Sequence, residues 1–198
     1  MKKKVYLAVV FTVCCILSGC GANGGQEIAS NSNATESKPL LDANFKSHYN
    51  EILIGENEIA LPCDFESLME IGFSDADEDT AMIEKGKPSY LTLTKDNSSV
   101  KVHAAYKGRE EQVPKEQAEI VSLLATKEDS EALNLSFYGG ITFSSTEDEV
   151  KNILEFMESY DDGALYGIKI GDYSYFSVSF HGGVINDIMV VNGEEYFK

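Results

Sequence analysis

Tyr173-Ser-Tyr175-Phe176-Ser-Val178-Ser-Phe180 is the stretch that decides the fold. Side chains alternate between faces along a strand, so Phe176, Val178 and Phe180 share one face while Tyr173 and Tyr175 stand on the other. A strand with one apolar face belongs in an antiparallel sheet that is covered on one side and open on the other. The flanking sequence extends the pattern: Tyr166 to Ile170 and Val184 to Val191 are separated from it by Gly171-Asp172 and His181-Gly182-Gly183, and the three runs read as a meander.

Upstream, Thr146-Glu-Asp-Glu149 is a capping box, in which hydroxyl and carboxylate satisfy each other's free backbone donors. Val150, Ile153, Leu154 and Met157 form one apolar stripe behind it and predict a helix. A shorter helix is expected over Phe65 to Ile71, with Asp64 as its cap and Gly72 as its stop. Glu51 to Ile54 with Glu58 to Leu61, and Tyr90 to Thr94 with Val100 to Tyr106, read as hairpins turning at Gly55 and at Asp96-Asn97. Pro114 followed by Lys-Glu-Gln-Ala-Glu looks like a helix start, whereas Ile120 to Ala125 also suits a strand, and both readings stay open. An offset of 82 carries Ile59 onto Ile141, Leu61 onto Phe143, Leu68 onto Val150 and Ile71 onto Ile153. The expected class is therefore α+β: a tandem repeat of a short helix plus antiparallel strands, over residues 45–132 and 133–198, forming a curved sheet with helices on one face.

The N-terminus carries an address. Lys2-Lys3-Lys4 precedes an apolar run from Val5 to Ile16 and then Leu17-Ser18-Gly19-Cys20, a lipobox. Residues 1–19 read as a lipoprotein signal peptide and Cys20 as the thiol that receives diacylglycerol. The apolar run is too short for a bilayer core, which needs about 20 residues of helix. Acyl chains on Cys20 anchor through about 0.8 kcal/mol per buried methylene. Residues 20–44 then form a polar tether whose Gly-, Asn- and Ser-rich part, residues 21–37, has a mean reach of roughly 20 to 25 Å.

Asp and Glu number 33 against 16 Lys and Arg, and loss of the three signal lysines moves the net charge from −17 to −20. Such a chain is repelled by nucleic-acid phosphates and by anionic lipid head groups, which excludes nucleic acid as a partner. Cys14 and Cys15 leave with the signal and Cys20 is consumed by lipid, so Cys63 is left alone, without a disulfide, and reads as a small buried hydrophobe.

Candidate chemistry is sparse. Asp75, Asp77 and Asp79 alternate as in a calcium loop, but the glycine and the bidentate glutamate of such a loop are missing at their places, so a solvated acidic loop is expected. His48, His103 and His181 lack metal-ligand spacing, and no nucleophile elbow or phosphate loop occurs. No catalytic residue, metal or cofactor is expected. The aromatic set Tyr138, Tyr160, Tyr166, Tyr173, Tyr175 and Phe176 is the best functional lead, since tyrosine offers a rigid apolar face and a polar tip. Tyr173 and Tyr175 are the expected binding residues, unless a tail packs over them.

Ile59-Ala-Leu-Pro62, Gly72-Phe73, Gly139-Gly140-Ile141-Thr-Phe143-Ser-Ser-Thr146-Glu-Asp-Glu-Val150 and the closing Phe176, Val178, Phe180, Gly183, Val184, Ile185 and Ile188 form a set of motifs. With the lipobox and tether, they make the chain resemble a large group of uncharacterised lipoproteins from Gram-positive Firmicutes. The resemblance covers nearly the whole chain. It implies a fold similar to that of beta-lactamase inhibitory protein and of small outer-membrane assembly lipoproteins, and it implies no catalytic residue. The chain departs from the group at Glu155-Phe-Met-Glu-Ser159, where relatives have Gly-x-Pro, and at Ser144, where they often have Gly. Taken together, the expectation is a lipid-anchored extracytoplasmic module that binds a protein or cell-wall component without catalysis. The rivals are an envelope hydrolase using paired carboxylates, which needs two of them converging in a concave pocket with shifted pKa values, and an inhibitor of an exported enzyme.

Overall fold

The computed structural model describes residues 42–76, 82–154, 158–160 and 165–197. The lipobox, Cys20 and the tether up to residue 41 lie outside the described residues, as do Asp77 to Thr80, Met157 and the side chain of Tyr160.

Helix α1 (Ala43–His48) opens the described chain, with the Asp42 carboxylate accepting from the Asn44 N–H at 3.1 Å. Its one buried side chain, Phe45, meets Tyr138 edge-on at 4.9 Å and Phe176 at 6.1 Å. Strands β1 (Glu51–Ile54) and β2 (Asn57–Ala60) form the first hairpin. After β3 (Cys63–Asp64), helix α2 (Phe65–Glu70) buries Phe65 and Leu68. Asp64 holds the N-cap position as expected, but its side chain makes no capping bond.

The remaining first-half strands are β4 (Ser74–Asp75), β5 (Met82–Glu84), β6 (Ser89–Lys95), β7 (Ser98–Ala105), β8 (Gln112–Pro114) and β9 (Glu119–Thr126). The segment whose sequence left helix and strand open therefore resolves as a strand preceded by one turn of 3₁₀ helix at Lys115–Gln117. Strand wins because Ile120, Leu123 and Ala125 are wholly buried in the middle of the sheet, a tertiary gain that outweighs the local helix-start signal.

A four-residue helix α3 (Lys127–Ser130) and the short β10 (Leu135–Ser136) lead to α4 (Glu147–Ile153). Both halves of the Thr146 capping box form, Glu149 N–H donating to the hydroxyl at 3.3 Å and Thr146 N–H to the carboxylate at 2.7 Å. Val150 and Leu154 are buried, and Ile153 is half-buried against Gly139. Then come β11 (Glu158–Tyr160), β12 (Leu165–Lys169), β13 (Ser174–His181) and β14 (Val184–Asn192).

Nine strands make one antiparallel sheet in the order β11-β12-β13-β14-β9-β7-β6-β4, with β3 also pairing on β9. Strand β3 takes up the β9 edge where β14 leaves it: Val191 faces Ser122, and Cys63 faces Ile120. Two tight turns pin the register. Asp96 and Asn97 join β6 to β7 at φ 52° and 64°, and Gly182 and Gly183 join β13 to β14 at φ 61° and 79°, the left-handed pair that a two-residue hairpin loop demands.

One sheet face carries the core. Phe176, Val178 and Phe180 are buried on it together with Leu91, Leu93, Val102, Leu123 and Ile188, and the buried side chains of α1, α2 and α4 and of β1 and β2 join the same cluster. The fold is an α+β arrangement of mostly antiparallel strands. Adjacent β9 residues report the two faces separately: Leu123 is wholly buried and Leu124 is half-exposed on the other side. Leu123→Ala is expected to cost about 2–5 kcal/mol, and Leu124→Ala less than half as much; urea titration of both variants measures this, and equal costs would mean that the second face is also packed.

Candidate functional site

The face opposite the core is built row by row from the pairing registers. One row crosses six strands as Lys169, Tyr175, Val191, Ser122, His103 and Tyr90. The next crosses the same strands as Gly167, Ser177, Met189, Leu124, Lys101 and Thr92. None of these twelve positions holds a carboxylate, in a chain where Asp and Glu outnumber Lys and Arg 33 to 16.

Tyr90 is the most exposed large apolar side chain among the described residues, at 72%. Its ring meets the His103 imidazole edge-on at 4.3 Å and 81°. Cross-strand aromatic pairs of this kind fix each other's orientation, so the exposed ring is held rather than free to rotate away. Tyr175 is half-buried, its hydroxyl 3.3 Å from the Met189 sulfur, and burial with Tyr90 nearby pushes its pKa up. Lys101 is exposed between them and has no carboxylate partner among the described residues. Lys169 at the far end pairs with Asp172 at 3.1 Å.

A β-bulge sets one margin of this strip. His103 faces Ser122 and Ala104 faces Ile120, so Val121 has no partner and turns to the outer face, while the Ser122 hydroxyl accepts the His103 N–H at 3.2 Å. Val121 and Ala105 would be exposed there, but Tyr196 and Phe197 cover them. The C-terminal segment is strapped down: Gly193 N–H donates to the Tyr173 carbonyl, Tyr173 N–H to the Glu194 carboxylate, and the Tyr196 hydroxyl to Glu119 at 2.6 Å. Lys107 bonds Glu195 at 2.7 Å and lies 4.5 Å above the Tyr196 ring. Burial first, then Glu119, push the Tyr196 pKa up to about 12, so the hydroxyl stays protonated as the donor. The opposite margin is acidic, with Asp187 in the third row and Glu128 and Asp129 in α3 beside an open depression of ≈ 690 Å³.

Tyr173 and Tyr175, the residues expected to bind, are thus divided. Tyr175 joins Tyr90, His103 and Met189 on the strip, whereas Tyr173, 44% exposed, packs its ring at 5.5 Å against Phe197 of the tail. Tyr166 is buried against Phe180, and its hydroxyl bonds Glu147; Tyr138 is half-buried on Phe45. Tyr90, Lys101, Leu124 and Met189 were not singled out in the sequence. Their signal was present: Tyr90 and Thr92 alternate with buried Leu91 and Leu93, the same argument that assigned Tyr175.

The Cys63 thiol is pushed up to about 12 by burial and by Asp64 and Glu119, which keeps it from being a thiolate nucleophile at neutral pH. Glu147 and Glu149 have lowered pKa values, the first through Lys151 and Tyr166, the second through the backbone and hydroxyl of Thr146, opposite to the shift a general acid needs. Asp75, from the acidic loop, pairs with Lys115 with both side chains mostly buried. Among the described residues, no three His, Cys, Asp or Glu side chains are grouped to hold a metal ion. No protein-family model, curated protein or solved structure matches the chain.

Burial lowers the His103 pKa below the ordinary imidazole value of about 6.5. Its neutral form is favoured by folding, so its contribution to stability is complete above about 6.5 and is lost as pH falls through the folded-state value. The expected results are an NMR titration midpoint for His103 below 6.5, and a urea midpoint that drops more steeply on acidification in wild type than in His103→Gln. An unshifted midpoint would show that Tyr90 leaves the imidazole fully hydrated.

Proposed function

We propose that this chain is an extracytoplasmic lipoprotein, held at the cell membrane by lipid on Cys20, whose open sheet face binds a partner without chemistry. The observation that carries the reading is Tyr90, 72% exposed yet fixed against His103, at the edge of a carboxylate-free strip that includes Tyr175 and Met189. Interface cores are enriched in aromatic residues and Met and depleted in Asp and Glu, and in these respects the strip matches, with Tyr90, Tyr175 and Met189 and no carboxylate, although it also holds Lys101, Lys169, Ser122 and Ser177. The lipobox at residues 17–20 supplies the address.

The same reading includes a duplicated unit over residues 45–132 and 133–198. The order of elements in the large sheet supports it: of the strands after α2, β4, β6, β7 and β9 lie in that sheet while β5 and β8 pair separately without a counterpart in the second half, α4 is followed by β11, β12, β13 and β14, and each series runs from a sheet edge inward to meet at β9 and β14. Leu68 and Val150, related by the offset of 82, are both wholly buried, and Ile71 and Ile153 are both half-buried against the core.

Two measurements test the proposal. Cys20→Ser is expected to abolish palmitate labelling and leave unprocessed precursor; normal mature, membrane-bound protein from that variant would defeat the anchoring. A photo-crosslinking residue at position 90, in native membranes, is expected to give adducts that one at Leu53, exposed at 41% on β1, does not give. Equal adduct formation at both positions, or none at position 90, would move the binding surface off this face. Tyr90→Ala itself should change stability by no more than about 0.5 kcal/mol.

A further inference from the structure

Resting on that reading, we propose that residues 193–197 form a strap that opens as one unit while the sheet stays folded, with Lys107 as its latch, and that opening adds Ala105, Val121 and Tyr173 to the face that carries Tyr175 and Tyr90. Placement is the first argument. The strap lies over the row of side chains next to the one that holds Tyr175, His103 and Tyr90: Tyr173 comes two residues before Tyr175, Ala105 two residues after His103 on β7, and Val121 turns outward at the bulge beside Ser122. Tyr196 and Phe197 cover Ala105 and Val121, which are wholly buried, and Phe197 packs against the Tyr173 ring. What the strap hides is therefore continuous with the row that is shown.

The second argument is what holds the strap down. Among the described residues, the apolar cluster beneath it is separate from the main core and has three buried members, Ala105, Val121 and Tyr196, the first two of which belong to the sheet and stay when the strap leaves. One backbone bond joins it to the sheet, from the Gly193 N–H to the Tyr173 carbonyl at 2.9 Å; the bond from the Tyr196 N–H to the Gly193 carbonyl is internal to it. Segments with so few buried contacts open at a lower free energy than the whole domain. The remaining ties are side-chain bonds to ionised groups: Glu194 accepts the Tyr173 N–H at 2.9 Å, Glu119 the Tyr196 hydroxyl at 2.6 Å and Glu195 the Lys107 ammonium at 2.7 Å. Three carboxylates thus surround one short segment, and Lys107, 4.5 Å above the Tyr196 ring and close to both Glu195 and Glu119, offsets them. The Lys107–Glu195 pair is open to solvent, so it breaks without disturbing the core.

The test is amide hydrogen exchange on the full-length lipidated protein in detergent micelles, combined with photo-crosslinking from position 90 in native membranes. In wild type, the amides of Gly193 and Tyr196 are expected to exchange faster than those of Leu123 and Ala125 in β9. Tyr196→Phe should speed exchange at the strap about tenfold and Lys107→Ala about threefold, with the β9 amides unchanged and Lys107→Arg close to wild type. Lys107→Ala is also expected to raise the yield of adducts from position 90. Strap amides as slow as those of β9, strap amides unmoved by both substitutions, or β9 amides that speed up in step with them would each overturn the inference. If the strap opens in Lys107→Ala while adducts from position 90 stay level, the strap does not control the face and the binding surface itself stands. Absence of adducts from position 90 in wild type and variant alike removes the binding surface and its control together.

Discussion

Strand β9 is the element on which the other parts depend. It pairs with β7 along one edge and with β14 and then β3 along the other, so each half of the sheet is attached to the rest through its backbone. Ile120, Leu123 and Ala125 on its inner face are fully excluded from water and touch the core that α1, α2 and α4 complete. A slip of one residue in this strand would send all three to the outer face, which is why the register has to be fixed elsewhere. The two left-handed turns at Asp96-Asn97 and Gly182-Gly183 fix it for β7 and β14, the strands that clasp β9.

The bulge at Val121 is the one break in that regularity, and it decides how much of the outer face stays open. By turning an apolar side chain outward beside Ala105, it creates a surface that must be covered, and the C-terminal Tyr196 and Phe197 cover it. Close approach is possible because Gly193 has no side chain: a Cβ there would lie 2.7 Å from the Phe197 ring. The tail is then held by charge-assisted bonds from Lys107 and to Glu119, stronger than neutral ones. Tyr173 is drawn into this packing, and the open strip begins only at Tyr175.

Period-2 alternation was legible wherever a strand buries one face and shows the other to water. Phe176, Val178 and Phe180 and the β6–β7 and β1–β2 hairpins were readable for that reason, and the helix at Thr146 through its capping box and 3.6-residue apolar stripe, because each is specified by side chains local to it. Strand β9 was not, since both its edges are paired and its outer face is partly covered, which leaves Ile-Val-Ser-Leu-Leu-Ala nearly continuously apolar, a run in which strand and helix look alike. Short strands such as β3, β4 and β10 have only two residues each and exist only through long-range pairing. On the candidate strip, Tyr175 was legible from its own strand, but its company was not. Tyr90 lies 85 positions away in sequence and reaches the same row through four intervening pairings. Coverage of Tyr173 by Phe197 is a tertiary contact that no local pattern encodes.

The distribution of charge follows from what each surface is asked to give up. Covering a carboxylate means removing its hydration, which costs several kcal/mol unless a cation replaces the water. A chain with 33 acidic residues avoids that cost by keeping Glu194, Glu195 and Glu119 around the strapped tail, where Tyr173 N–H, Lys107 and Tyr196 satisfy them, and Asp187 where the Ser179 hydroxyl and Asn186 do. The strip between them holds groups that lose little when water leaves: the rings of Tyr90 and Tyr175, the Met189 thioether, Leu124 and a His103 already kept neutral by burial. Lys101 is the exception, and its flexible stem keeps the ammonium in water. An exposed aromatic edge beside Lys101, which has no carboxylate partner among the described residues, is therefore a surface whose covering requires no buried carboxylate of its own.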